Sequence, residues 1–76
     1  MSDEAEFLHL LHKCREALDG DWGVLSTGEK IAAALVLNRA DWLQGMGYTI
    51  PEAIERIGPT WTALLPLVAA KLREES

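Results

Sequence analysis

The feature that most constrains this chain is a run of seven consecutive apolar residues at positions 31–37. Ser26 and Glu29 stand just before it at the spacing of a capping box, whose two side chains accept hydrogen bonds from free backbone N–H groups where a helix begins. On a helix, seven apolar residues in a row cover the whole circumference and leave no polar side. The sequence therefore predicts a central helix that the rest of the chain, or a second chain, must surround.

The chain is long enough for one core only. It has 76 residues, and a fold of this size buries only about 60% of the surface that its unfolded chain exposes. Dense apolar content compensates, because 49% of the residues are hydrophobic and three are tryptophans: Trp22, Trp42 and Trp61. Each indole can bury about 150–250 Å². We expect a single helical domain, residues 1–76, in which tryptophan packing outweighs local helix signals.

The spacing of apolar residues is helical along nearly the whole chain, and strand alternation is absent from the sequence. A first helix is predicted over residues 3–18, opened by Asp3 with Glu6 three positions later. Gly20 is expected to end this helix. In the loop that follows, Trp22 is expected to fold back over the core.

The central helix is predicted to continue to Gly45 or Gly47, which places Asn38 and Trp42 on one stripe with Ile31. This interpretation treats the whole stretch as one amphipathic helix beyond its apolar run. It leaves open whether the Trp42 side chain points into the core or out to solvent.

Two further helices are predicted after that. Thr49 and Glu52 form a second capping box for a short helix, which Gly58 ends just before Pro59. A last helix follows, and Pro66 within it is expected to cause a kink or a break. The predicted fold is all-α: a small orthogonal or up-down bundle of three main helices plus one short helix, with the second helix central.

The charge balance argues against nucleic acid and membranes as partners. Twelve acidic residues face seven basic ones, for a net charge of −5, and the bases are scattered rather than clustered as phosphate binding requires. No apolar run approaches the roughly 20 residues that span a bilayer, and the N-terminus is acidic where a secretory signal is basic. A single cysteine, Cys14, favours a reducing compartment. We expect a cytoplasmic protein.

The side chains that could act in catalysis or bind a metal do not form a recognisable site in the sequence. His9 and His12 lie three apart, but a stable metal site needs three or four converging ligands, so we expect ordinary solvated histidines. Cys14 falls on an apolar stripe, which is typical of a buried, unreactive thiol. Asp19 and Asp21 lack the rest of a calcium loop. We therefore expect no enzyme activity, no metal and no cofactor.

Asn38 supports two interpretations. In one it bonds to a loop carbonyl and holds neighbouring helix ends in register. In the other it joins Arg39, Asp41 and Gln44 in a polar rim around an apolar patch, an arrangement typical of protein interfaces. The predicted interface residues are Leu37, Asn38, Arg39, Asp41, Trp42, Leu43 and Met46. The predicted function is binding to another protein or to a second copy of the chain as a homodimer, through apolar surface that so small a fold leaves exposed.

The alternative function rests on residues 49–58 and the helix after them. Ile54 stands at a small or apolar position, Gly58 at a turn, and Leu64 and Leu67 at two inward positions of the second helix. Over about a third of the chain this pattern resembles the helix-turn-helix of small bacterial DNA-binding proteins. The resemblance implies a dimeric DNA-binding regulator, although the second helix carries almost no side chains able to reach bases or phosphates. A third option is a subunit that occupies a basic groove through the acids of its first helix.

Overall fold

A computed structural model describes residues 2–75 of the chain, so residues 1 and 76 of the predicted domain lie outside the described part. Within that part there are four α-helices and no strand. Their bounds are Ser2–Leu18 for α1, Thr27–Val36 for α2, Ala40–Gly45 for α3 and Ile50–Glu75 for α4. A 3-10 turn, Trp22–Val24, precedes α2. Since α2 contacts each of the other three helices, the predicted all-α bundle with a central second helix is confirmed.

The start of α2 is fixed by the predicted capping box. The Ser26 N–H donates to Glu29 Oε1 at 2.8 Å, and the Glu29 N–H donates to Ser26 Oγ at 3.2 Å. The first half of the apolar run is almost completely enclosed, with Ile31 0% and Ala34 1% exposed. Residues 35–37 are partly buried. The chain's own helices therefore surround this run, as its sequence requires.

The end of α2 corrects the sequence prediction, because the helix stops at Val36. Asn38 adopts a left-handed φ of 57°. Its N–H reaches Leu35 O at 3.3 Å, and the N–H of Arg39 reaches Ala34 O at 2.8 Å. This pair of hydrogen bonds is a Schellman motif, which closes a helix when the residue after its cap is left-handed, as Gly and sometimes Asn can be.

A continuous helix up to Gly45 or Gly47 is therefore wrong. Residues 40–45 form the separate helix α3, and Gly47, with φ 84°, closes α3 through the Tyr48 N–H bond to Leu43 O at 2.9 Å. The short helix of the bundle is thus α3 rather than the one predicted after Thr49. The turn also takes Trp42 off the stripe it was expected to share with Ile31.

The predicted break at Gly58 is confirmed inside α4, where φ is 84° and ψ is 171°. The Thr62 hydroxyl donates to Gly58 O at 2.7 Å and covers a carbonyl next to the break. The capping box that starts α4 is also present, since the Glu52 N–H donates to Thr49 Oγ1 at 3.2 Å. No break occurs at Pro66, because helical backbone angles continue through it.

α1 begins one residue earlier than expected, so Asp3 lies inside its first turn rather than at its cap. The predicted capping pair of Asp3 and Glu6 is wrong, because Glu6 instead accepts a hydrogen bond from Trp61 Nε1. At the other end of α1, Arg15 Nε donates to Glu75 Oε1 at 3.1 Å. These two contacts show that α1 and the second part of α4 run parallel.

The core has two connected clusters of buried residues. The larger one lies between α1, α2 and α4 and includes Leu10, Cys14 and Val68. The smaller one lies under α3 and includes Ile31 and Leu43. Trp42 packs against both clusters, so one face of its indole belongs to the core.

Candidate functional site

The site is built around two tryptophans that lie in different elements of the fold. Trp22 begins the 3-10 turn after α1, and Trp42 lies in α3. Their ring centroids are 4.7 Å apart and their planes are tilted by 52°. Aromatic pairs at this distance stabilise each other beyond the area they bury. The pair therefore fixes the 3-10 turn against α3 and holds both indoles in a defined orientation.

Each indole also carries a cation over one face. Lys30 Nζ lies 5.6 Å from the centroid of the Trp22 ring, and the guanidinium carbon of Arg39 lies 4.4 Å from that of Trp42. Arg39 is held by two hydrogen bonds to Asp41, of 3.0 and 2.8 Å. These bonds lower the pKa of the Asp41 carboxyl below its ordinary value and raise the pKa of Arg39. The ion pair thus presents a flat, ordered guanidinium beside an indole.

Between the two tryptophans and the helix ends lies a surface cleft of about 460 Å³. We call it the tryptophan cleft. Its walls come from the end of α1, the 3-10 turn and α3. The lining residues are Ala17, Gly20, Trp22, Asp41, Trp42, Gly45 and Met46.

The structure brings together part of the predicted interface. Asp41, Trp42 and Met46 line the tryptophan cleft, and Arg39 lies over Trp42. The other members lie elsewhere. Leu37 packs partly buried against the larger core cluster, and only 2% of Leu43 is exposed, so it supports α3 from inside.

Asn38 is exposed and lines a small hollow that also includes Ile50, away from the tryptophan cleft. It holds the ends of α2 and α3 in register through its left-handed backbone. Gln44 is likewise exposed on α3.

The sequence predicted that Trp22 folds back over the core. It did not identify Trp22, Ala17 or Gly20 as residues of the site. The two halves of the cleft are distant in sequence and meet only because the left-handed turn at Asn38 closes α2. One local signal was present in the sequence. Each tryptophan directly follows an aspartate, shortly after Gly20 or Asn38, and both of these residues adopt a left-handed φ. In both places the chain leaves a helix and restarts with an indole at the surface.

His9 and Cys14 lie outside the tryptophan cleft. His9 Nε2 is 2.7 Å from Glu29 Oε2. Cys14 is completely buried, as its position on an apolar stripe predicts, and burial raises the pKa of its thiol to about 12. In residues 2–75, no three or more His, Cys, Asp or Glu side chains are grouped as metal ligands.

Comparisons of the chain with protein-family models, with curated proteins and with solved structures find no match. None of the helices described over residues 2–75 is long and apolar enough to cross a membrane. What the site offers is two oriented indoles, an ordered ion pair and an open apolar cleft, which are suited to binding.

Proposed function

We propose that this protein is a non-catalytic interaction module that binds another protein at the tryptophan cleft, in the cytoplasm. The observation that carries the proposal is the pairing of Trp22 and Trp42 at the mouth of an open cleft, with the Arg39 guanidinium over one ring. Tryptophan and arginine are the residues most often found at the energetic centre of protein interfaces.

A few contacts in the cleft, rather than a large interface area, can supply the binding free energy. An indole can bury about 150–250 Å², and at about 25 cal/mol per Å² the burial of half of one indole is worth about 2–3 kcal/mol. Because Trp22 and Trp42 already hold each other and their cations in place, a partner loses little entropy in ordering them. The cleft therefore provides an anchor for one or two apolar side chains of a partner.

The charge around the cleft indicates which partner fits. Asp19 and Asp21 are exposed on either side of Gly20, which lines the cleft, and the whole chain carries a net charge of −5. A partner segment with an apolar anchor and flanking basic residues would bury the anchor in the cleft, against the indoles, and place its cations near these aspartates. This arrangement makes the association rate depend on ionic strength, while the bound state is held by apolar contact.

The DNA-binding alternative has less support. Residues 59–68, which would read the major groove, expose the side chains of Pro59, Thr60, Ala63, Pro66 and Leu67. Of these, only the Thr60 hydroxyl can donate or accept a hydrogen bond at a base edge or a phosphate. A mobility-shift assay with mixed genomic fragments at low salt, where electrostatic binding is strongest, is expected to show no retarded band. Retarded bands would favour the alternative.

The proposed function is tested by capture followed by mapping. The immobilised protein is used to capture partners from cell lysate at low and at high salt, beside Trp22→Ala and a control, Leu8→Ala, which shortens a leucine that is 55% exposed on α1. A protein captured by the wild type and by the control, but not by Trp22→Ala, is then purified and added to isotope-labelled protein. We expect its binding to shift the backbone NMR signals of residues 17–22 and 41–46. Shifts confined to other surfaces would contradict the proposal.

A further inference from the structure

A second hollow lies beside the tryptophan cleft, at the same end of α1. Its volume is about 310 Å³, and it is lined by Arg15, Leu18, Asp19, Leu72 and Glu75. Ala17 and Gly20 line the tryptophan cleft. Leu18 and Asp19, which lie between them in the sequence, line the second hollow. Residues 18–21 therefore form a ridge at the end of α1 with one hollow on each side, and we call it the α1 ridge.

Apolar surface on this side of the molecule extends beyond the tryptophan cleft. Val24 is 62% exposed and Leu18 60%, the two highest values among the large apolar side chains described in residues 2–75. Val24 ends the 3-10 turn that Trp22 begins, and Leu18 lines the second hollow. Exposed apolar side chains that lie together are typical of an interaction surface. Both hollows can therefore take an apolar side chain of a partner.

The α1 ridge between the two hollows attracts cations. Asp19 and Asp21 are exposed, and neither carboxylate has an ion-pair partner within residues 2–75. The ridge also includes the C-terminal end of α1, a helix of 17 residues, where the helix dipole places negative partial charge. In the second hollow, Arg15 is already paired with Glu75. A basic side chain on the ridge is therefore complementary to it, whereas an acidic one is repelled.

The width of the ridge determines the spacing of the partner's side chains. A helix with its side chains is about 10–12 Å wide, and the two hollows on its sides are separated by about that distance. The side chains of an extended segment alternate between two faces, so residues i and i+4 share a face and lie about 13 Å apart. Residue i+2 lies between them on the same face, above the ridge. The surface therefore fits the pattern apolar, any, basic, any, apolar.

We propose that the partner presents an extended segment of this pattern, with one apolar side chain in the tryptophan cleft, the other in the second hollow and the basic side chain on the α1 ridge. This inference rests on the proposed function and adds to it a second anchor and the order of the residues. A different protein fits better than a second copy of the chain, because none of the seven basic residues of the chain has a large apolar residue both two positions before it and two positions after it. The net charge of −5 also makes a second copy a poor match for an acidic ridge.

Synthetic peptides added to the isotope-labelled full chain test the two anchors. The probe is acetyl-Leu-Ser-Arg-Ser-Leu-amide, and in two further peptides serine replaces one leucine or the other. We expect the probe to shift the methyl signals of Leu18 and Leu72 and the backbone signals of residues 41–46, and each serine peptide to bind about tenfold more weakly. Leu18→Ser should weaken binding of the probe by about the same factor. The control Leu8→Ser, at a leucine of similar exposure on the same helix, should bind it like the wild type.

A double-mutant cycle tests the basic position. Norleucine replaces the arginine of the probe, and Asp21→Asn removes a carboxylate that makes no capping hydrogen bond. Asp21→Asn is expected to weaken the arginine probe about threefold at low salt and to leave the norleucine probe unchanged. Glu55→Gln is the matched control, because Glu55 is exposed and lines neither hollow. It should bind the arginine probe like the wild type.

The outcomes separate this inference from the proposed function. Shifts in residues 41–46 without shifts at Leu72, or equal binding of all three leucine and serine peptides, would overturn the inference while the proposed function stands. Equal binding of the arginine and norleucine probes would also overturn it. Leu72 signals that shift with protein concentration alone would assign the second hollow to a second copy. A probe that shifts neither hollow would overturn the inference, and the map of the captured protein would decide the proposed function separately.

Discussion

The tryptophans in two regions of the molecule have different surroundings. Trp61 donates its indole N–H to Glu6 and lies beside α2, where a side chain at Gly28 would contact the ring. Trp22 and Trp42 contact each other, carry cations on their outer faces and line an open cleft. Trp61 thus connects three helices, whereas the other two also form a surface. Local packing, rather than residue type, decides whether an indole is held between helices or lines a surface cleft.

The largest effect in this comparison is expected at Trp61. Trp61→Ala should lower the free energy of unfolding by about 3 kcal/mol, since it removes ring contacts with both α1 and α2. Trp61→Phe keeps an aromatic ring but loses the bond to Glu6 and part of the packing of the indole, so a loss of about 1–2 kcal/mol is expected. Urea unfolding followed by circular dichroism measures both values. A Trp61→Ala protein as stable as the wild type would contradict the assignment of Trp61 to the packing between helices.

A smaller loss of stability is expected in the tryptophan cleft. Trp42→Ala should cost about 2 kcal/mol because this ring packs on both core clusters, and Trp22→Ala about 1 kcal/mol because only one cluster contacts it. The same urea experiment ranks the three tryptophans. If Trp22→Ala were the most destabilising of the alanine variants, Trp22 would have to be reassigned to the core.

The position of Trp42 depends on the backbone at Asn38, because the left-handed turn there directs α3 and Trp42 toward the cleft. Asn38→Ala is expected to cost about 1 kcal/mol, because alanine is strained at a φ of 57°. Asn38→Gly is the matched control and should be more stable than Asn38→Ala, since glycine adopts this conformation without strain. Thermal unfolding distinguishes them. Equal stability of the two variants would mean that the turn does not depend on the residue at this position.

The smallest effect concerns Arg39 and Asp41. Their hydrogen bonds lower the pKa of Asp41 below its ordinary value of 3.8. A lowered pKa contributes stability above the ordinary value and loses it as the pH falls through the lowered one. Because both side chains are about half exposed or more, the change in stability is expected to be slight.

The Arg39–Asp41 pair is better tested by the titration itself. Arg39→Gln is expected to raise the pKa of Asp41 toward 3.8, as followed by NMR of its carboxyl carbon, with Lys71→Gln as a control of the same charge change. An unshifted titration in Arg39→Gln would show that the ion pair over Trp42 is not formed in solution.

Local signals in the sequence predicted most helix boundaries correctly. The capping boxes at Ser26 and Thr49 involve residues three apart, so their hydrogen bonds depend little on the rest of the fold. The ends at Gly20 and Gly58 rely on a left-handed residue that glycine allows. These features could be predicted because their energies are decided within one helical turn.

The failures occurred where distant contacts decide. Glu6 had the spacing of a cap partner, but Trp61, which is 55 residues away, binds it instead. The failure at Asn38 is local instead, because asparagine is a weaker helix-ending signal than glycine. The second wall of the tryptophan cleft was missed because Trp22 and Trp42 approach only after that turn is made.

The central claim is that the tryptophan cleft binds a partner while Trp61 serves the fold, and affinity in two folded variants tests it most directly. A protein captured by the wild type, chosen without regard to its capture by Trp22→Ala, is titrated against the wild type, Trp22→Ala and Trp61→Phe by calorimetry. We expect Trp22→Ala to bind about a hundredfold more weakly, as the loss of an interface anchor requires, and Trp61→Phe to bind like the wild type. Equal affinities of all three proteins, or a loss in Trp61→Phe alone, would contradict the claim.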